Sequence, residues 1–372
     1  MSVRFTWAEV DTAAITANAR ELKALAGRAE LLAVVKASGY GHGAVPAAEA
    51  ALAGGATWLG VALVEEGEVL RRAGITAPLL VLSEPRASAM GAVVAADLRP
   101  TVYTEEGVEA AAKAASGLPA PLRVHVKVDT GMHRVGASAD AAVELARAVA
   151  DHPELHLEGL FTHFAVADLP ERADHTAGQV ASLREVAARL DLLGVRPDLL
   201  HAANSAGLLA HPDSHLDLVR CGIALYGLAP APALAGLADL RPALSLKAEV
   251  SFVKPLAAGE AASYGLRWAA PTDTVVATVP IGYADGVPRS YGALGGQVLV
   301  GGRRRPVVGT VTMDQLLVDC GPGSAVSRGD ECVLIGRQGT EEVTAWEWAE
   351  RVDTIAYEVV CGISSRVPRL WV

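Results

Sequence analysis

The chain has 372 residues, 51% hydrophobic and 20% charged, which is enough apolar material for two ordinary domains with separate cores. Its 32 basic and 42 acidic side chains leave a net charge of −10 with no basic block, so a nucleic-acid partner is not expected. A membrane span is not expected either, because an uncharged run such as residues 50–64 is broken by Gly54 and Gly55 and falls short of the roughly 20 apolar residues a bilayer helix needs.

The opening segment, MSVRFTWAEVD, meets charge at once and lacks an apolar secretory core, which predicts a cytoplasmic protein. Within it, VRFTWAEV reads as a strand preceding the main domain, and residues 1–9 are grouped with the second domain. DTAAITANARELKALAG then reads as a helix, with Asp11 as N-cap and Gly27 as stop. Eight short apolar runs follow: residues 31–36, 58–63, 78–83, 99–104, 123–129, 157–164, 199–204 and 219–227. Segments rich in Ala, Leu, Glu and Arg alternate with them. The pattern predicts an α/β fold whose first domain, residues 10–235, is a parallel (β/α)8 barrel. A doubly wound open sheet competes, but no glycine-rich dinucleotide turn follows the first run.

From Pro230 the texture changes to a proline-punctuated connector, with Pro232 and Pro242, and then to strand-like segments. These are LSLKAEVSFV, TVVATVPIGY, GQVLVGG, PVVGTV, QLLVDC, ECVLIG and RVPRLWV; TAWEWAERV is the one helical exception. Residues 236–372 are therefore expected to form a mostly antiparallel β domain. The four cysteines form no CxxC pair and no zinc spacing, so they read as reduced, mostly buried side chains, and no metal site is expected.

Barrel enzymes carry reactive groups where strands end on the C-terminal face. There the chain places Lys36, Lys127, Asp129, Arg134, His163, His201, Asn204, Ser205 and Arg220. A lone lysine at a strand end is usually solvated, and a lone histidine is usually a satisfied core residue. Convergence of this set on one face favours a site. Lys36 leaves the apolar run LLAVV, and desolvation of an amine favours its neutral, nucleophilic form, which suits Schiff-base chemistry. Glycines 39, 41 and 43 permit close backbone approach but lack P-loop spacing. Backbone amides around Cys221-Gly222-Ile223, with the Ser205 hydroxyl, could cradle an anion. A Schiff-base lysine with a barrel phosphate site implies pyridoxal 5′-phosphate (PLP).

At these residues the chain resembles the alanine racemase family, PLP enzymes of fold type III with a barrel followed by a β domain. The resemblance runs in register through AVVKASGYGHG (33–43), KVDTGMHRVG (127–136), EGLFTHFAVAD (158–168), HAANSAG (201–207) and VRCGIALYG (219–227). It continues through SYG (263–265), IGYADG (281–286), VTMD (311–314) and TIAYEVVCGISSRVPR (354–369). The resemblance implies that Lys36 carries PLP and is the base on one face of the substrate's α-carbon. Tyr264 would be the opposite base, reaching in from a second subunit, so a homodimer with shared active sites is implied. A phenol ordinarily titrates near 10, and His163 and Arg220 would be the charged neighbours that assist it.

Arg220 would also face the pyridine nitrogen. Tyr40, Ser205, Gly222, Ile223 and Tyr357 would hold the phosphate, with Asn204 beside them. Arg134 would meet the cofactor's phenolic oxygen and the substrate carboxylate, the Met313 backbone would help bind that carboxylate, and Tyr283 would narrow the entrance. The implied reaction interconverts L- and D-alanine for peptidoglycan. In the family Lys127 is sometimes carbamylated to hold Arg134, which intact mass would detect.

The chain departs from the family pattern at Ser38, Gly39, Cys221 and Thr310. Thr310 replaces an arginine whose acidic partner would align with Asp168, so the corridor is expected to be more acidic and less tightly tied. The rival readings are a racemase of another small amino acid such as serine, a broad-specificity racemase, a same-fold basic-amino-acid decarboxylase and a non-catalytic PLP-binding protein. Arg220 and Tyr264 argue against the decarboxylase, which usually has an acid at the pyridine nitrogen and a cysteine in the partner's loop.

Overall fold

The computed structural model describes residues 4–372; residues 1–3, where the first expected strand begins, lie outside the described residues. Two compact units divide the chain: Ala13–Arg241, and the residues up to Thr12 together with Pro242–Val372. The first strand, β1 (Thr6–Val10), belongs to the second of these.

In the first unit, eight parallel strands alternate with helices: β2 (Glu30–Val34), β3 (Trp58–Val61), β4 (Leu79–Val81), β5 (Arg99–Val102), β6 (Leu122–Lys127), β7 (Leu155–Phe161), β8 (Leu199–His201) and β9 (Leu218–Cys221). Pairing runs from β8 in descending order to β2, which pairs with β9. The seam between β8 and β9 is bridged by Asp217 N–H to Leu200 O (3.0 Å) and Arg220 N–H to Ala203 O (2.9 Å), giving a nearly closed barrel. Strands such as β3 and β4 are buried throughout, as expected where a parallel sheet is covered on both faces. Two of the helices between them start on side-chain hydroxyl caps: Thr104 Oγ1 accepts from Gly107 N–H before Glu105–Ala115, and Ser138 Oγ from Ala141 N–H before Ala139–Asp151. The opening helix, Thr12–Ala26, ends where Gly27 turns to a φ of 61°.

All eight expected strands are present, each ending before its apolar run does, and two of the endings shape the site. The run 31–36 leaves the sheet at Val34, ahead of a left-handed turn. The run 219–227 leaves it at Cys221, where Gly222 (φ −103°, ψ −96°) diverts the chain into a 3₁₀ turn, Ile223–Tyr226.

The second unit is built on a mostly antiparallel sheet in the order Phe252–Leu256, Thr274–Val279, Leu316–Gly321, Arg303–Val308, Gln297–Val300, Glu331–Gln338, Leu244–Glu249, β1 and Arg369–Trp371, beside a two-stranded ribbon of Ala261–Ala262 and Trp268–Ala269. Only the pairing of β1 with Arg369–Trp371 is parallel along this path. The segment LSLKAEVSFV, expected as one strand, is two: Leu244–Glu249 pairs with β1, whereas Phe252–Leu256 pairs with Thr274–Val279. The expected helix lies at Ala345–Arg351, anchored by buried Trp348, whose Nε1–H donates to Leu334 O. A second helix, Ala356–Gly362, was not expected, because its Val359-Val360 pair reads locally as strand and is helical through packing. Among the described residues, no helix is long and apolar enough to cross a membrane.

Candidate active site

Lys36 follows β2 and begins an unusual turn. Ala37, Ser38, Gly39, Tyr40 and Gly41 take consecutive positive φ values of 52°, 53°, 62°, 51° and 82°. Left-handed backbone costs an L-residue about 1–2 kcal/mol, so Ala37, Ser38 and Tyr40 must be held from outside. The holding contacts include Glu66 Oε1, which accepts from Ala37 N–H at 2.6 Å, while Oε2 accepts from Ala62 and Leu63 N–H. Gly39 N–H to Val35 O and Gly43 N–H to Ser38 O tie the turn to its own flanks. Glycine at 39 fits this conformation without the penalty, which gives the departure at that position a physical role.

The turn carries Tyr40 to Gly222. A Cβ on Gly222 would lie 2.3 Å from the Tyr40 hydroxyl oxygen, so glycine there makes room for that hydroxyl. Ser205 Oγ accepts from Gly222 N–H (3.0 Å) and Ala224 N–H (3.4 Å). Two hydroxyls therefore meet at the end of β9, with the Gly222 and Ala224 N–H groups holding Ser205 Oγ in place, a grouping suited to a phosphate. Asn204 stands apart from this set, because its Oδ1 caps the following helix by accepting from Gly207 N–H at 2.9 Å.

Deeper in the barrel, Arg220 is buried and donates to Thr162 O (2.7 Å), Ala202 O (2.9 Å) and His201 Nδ1 (3.0 Å), with His163 Nδ1 at 3.4 Å. Burial pushes its guanidinium down to about 9, which leaves it a cation at neutral pH. Lys127 Nζ and Arg220 Cζ stand 5.4 and 5.2 Å from the Phe161 ring centroid, a double cation–π contact. Burial, then the charges of Arg220, Arg134 and Lys36, bring the Lys127 ammonium down to about 8. His163, expected as a charged neighbour, is neutral instead. Burial and the same group of cations, Arg220, Lys127, Arg134 and Lys36, hold it well below the usual imidazole range.

The loop after β6 presents Arg134 on the surface. Asp129 Oδ1 organises it by accepting from the N–H groups of Gly131, Met132 and His133 at 3.0–3.1 Å. Burial pushes that carboxyl up, but the three donors outweigh it and keep it ionised. Sequence reasoning missed both Glu66 and Gln179. Buried Gln179 donates to Thr130 Oγ1 and His163 O and accepts from Ala165 N–H, clamping the loops after β6 and β7. A glutamine within an amphipathic helix carries no signal that sets it apart.

Tyr264, Tyr283, Met313 and Tyr357 stand on the second unit. Tyr264 is 71% exposed and follows Ser263 at a φ of 66°. Its carbonyl accepts from Thr310 Oγ1 (3.1 Å), and Ser263 Oγ donates to Thr310 O (2.7 Å). Thr310 thus ties down the Tyr264 loop, a role that the expected loosening did not include. The following residues hold Tyr283: its N–H donates to Thr312 O (3.0 Å), and Ala284 N–H to Met313 O (3.1 Å). One segment therefore brings Tyr264, Tyr283 and Met313 together, while Tyr357 lies apart in the helix Ala356–Gly362.

A lysine on a rigid turn, a phosphate-type donor set and a buried donor-only cation on β9 fit PLP. Residues 10–230 match the family described as "Alanine racemase, N-terminal domain", and residues 243–371 match "Alanine racemase, C-terminal domain". The alanine racemase of Symbiobacterium thermophilum is 50% identical over 369 residues, 99% of this chain and 97% of that protein. The crystal structure of alanine racemase from Streptomyces lavendulae superposes with a TM-score of 0.93 at 39% identity, covering 100% and 98% of the two chains. That of Bacillus anthracis, with bound L-Ala-P, also gives 0.93, at 40% identity over 100% and 96%. With two matched domains in order and identity sustained along the whole length, the chain belongs to the alanine racemase family of PLP-dependent enzymes that interconvert L- and D-alanine.

Proposed function

We propose that Lys36 and Tyr264 are the two bases of this racemase, acting on opposite faces of the α-carbon in a site shared between two copies of the chain. The observation that carries this reading is the exposure of Tyr264 beside Leu266, Tyr283 and Met313, which are 71%, 67%, 42% and 52% accessible. Such an aromatic and apolar patch is costly in water and suits burial against a partner.

Bound PLP would withdraw electrons from the substrate's α-carbon and so make its proton acidic. Tyr40, Ser205, Gly222, Ile223 and Tyr357 would hold its phosphate, with Asn204 setting Ser205 in place. Arg220, a cation that only donates, would disfavour a proton on the ring nitrogen and thereby limit electron delocalisation, which suits racemisation over transamination. Arg134 and the Met313 backbone would orient the substrate carboxylate, and Tyr283 would limit the side chain to about a methyl group. The Lys36 amine would take or return a proton on one face, and the Tyr264 phenol would do so on the other. Neutral His163 can accept a hydrogen bond from Arg220 and so keeps that cation in place without adding charge.

The PLP-loaded protein is expected to replace the α-proton of L-alanine in D2O while forming D-alanine, followed by proton NMR and chiral chromatography together. Exchange without inversion would remove the two-base assignment. No exchange would redirect the pocket to serine, lysine or arginine. The D-alanine formed is assigned to peptidoglycan precursors in the cytoplasm, which predicts a D-alanine growth requirement when the gene is deleted. Growth without it would count against that assignment.

A further inference from the structure

Four buried side chains on consecutive barrel strands form a line whose direction is fixed by chemistry: His125 on β6, Glu158 on β7, His201 on β8 and Arg220 on β9. A guanidinium only donates, so in the 3.0 Å contact between Arg220 Nη1 and His201 Nδ1 the imidazole nitrogen is the acceptor. Neutral His201 then carries its proton on Nε2, which faces His125 Nδ1 at 2.9 Å. His125 Nδ1 therefore accepts, and its own proton lies on Nε2, 3.2 Å from Glu158 Oε2. A carboxylate only accepts, so both ends of the line impose the same direction.

The protonation states agree with that reading. Burial pushes both imidazoles below their usual range, and for His201 the Arg220 charge adds to it. Burial pushes the Glu158 carboxyl up, but the contact with His125, the Arg123 hydrogen bond and the Arg99 charge outweigh it. Arg123 Nη1 donates to Oε1 at 2.9 Å, and Arg99 Nε stands 3.3 Å from Oε2. The backbone is shaped for the line as well. His125 pairs in register with Gly159 on β7, where a Cβ would lie 2.2 Å from His125 Nδ1. The absent side chain is what lets the His125 ring reach His201, two strands away.

We propose that His125 and Glu158 are positioning residues for Arg220, with Glu158 its buried counter-charge, linked through two neutral imidazoles that hold the guanidinium in one orientation. The inference rests on the reading that Arg220 faces the cofactor ring. Histidines that merely filled space would tolerate either tautomer; this line tolerates one.

Nitrogen-15 NMR of the histidine rings at neutral pH, with and without PLP, tests the line directly. Both rings are expected to show a bare Nδ1 and a protonated Nε2, and a proton on His201 Nδ1 would overturn the proposal. Glu158→Gln removes the charge while keeping the shape. It is expected to lower kcat about tenfold with KM changed less than about twofold, and to cost nothing further in an Arg220→Lys background. Equal losses in both backgrounds would overturn a route through Arg220. Because the NMR arm needs no turnover, failure of the line and failure of the racemase assignment give different results.

Discussion

Lys36→Ala is expected to lose at least about 10,000-fold in kcat, because one substitution removes both the group that would bind PLP covalently and the proton carrier on one face. The fold should survive. The left-handed turn is held by backbone contacts and by Glu66 on Ala37 N–H, none of which uses the lysine side chain. The visible absorption of lysine-bound PLP is expected to disappear, while the unfolding midpoint stays within a few degrees of the parent. An added small primary amine should restore part of the rate, since it can enter the space the side chain leaves. A variant that kept its lysine-bound PLP absorption or near-parental turnover would remove Lys36 from the site.

Tyr264→Phe carries the second large effect and a more distinctive signature. Deleting the phenol oxygen should lower racemisation in both directions by about 100- to 10,000-fold. The losses must match in kcat/KM, because the two enantiomers have equal free energy. Proton exchange need not match. With only the Lys36 face working, one enantiomer should still exchange its α-proton in D2O with retention, and the other should not. Exchange of both enantiomers at parental rates would reject Tyr264 as a base.

Mixing the Lys36→Ala and Tyr264→Phe chains then tests whether the site is shared. Free exchange at equal amounts makes half the dimers mixed, each with one intact site of two, so about a quarter of the parental rate should return. No recovery after demonstrated subunit exchange would place both bases in one chain, as would an active monomer in the ultracentrifuge.

The site was legible to different depths at different residues. Lys36, His163, His201, Ser205 and Arg220 stand at or beside barrel strand ends, where eight-fold alternation puts them on one face. Tyr264, Tyr283 and Met313 carry no such periodic signal, and only motif resemblance proposes them for the site. Gln179 and Glu66 were missed because each acts through backbone groups that are distant in sequence: Gln179 reaches 49 positions back to Thr130, and Glu66 29 back to Ala37. The hydrogen bond by which Asn204 Oδ1 caps the helix after β8 was not read from its position beside Ser205.

By itself the sequence determined the barrel, the β-rich remainder and the order of the motifs, because periodicity and turn chemistry are local properties written into adjacent residues. Tertiary structure decided the neutral state of His163, the break at Val250, the helix Ala356–Gly362 and the single direction of the line from Arg220 to Glu158. Each of these depends on desolvation and on partners brought together from far along the chain, and neither quantity can be computed from neighbours in sequence.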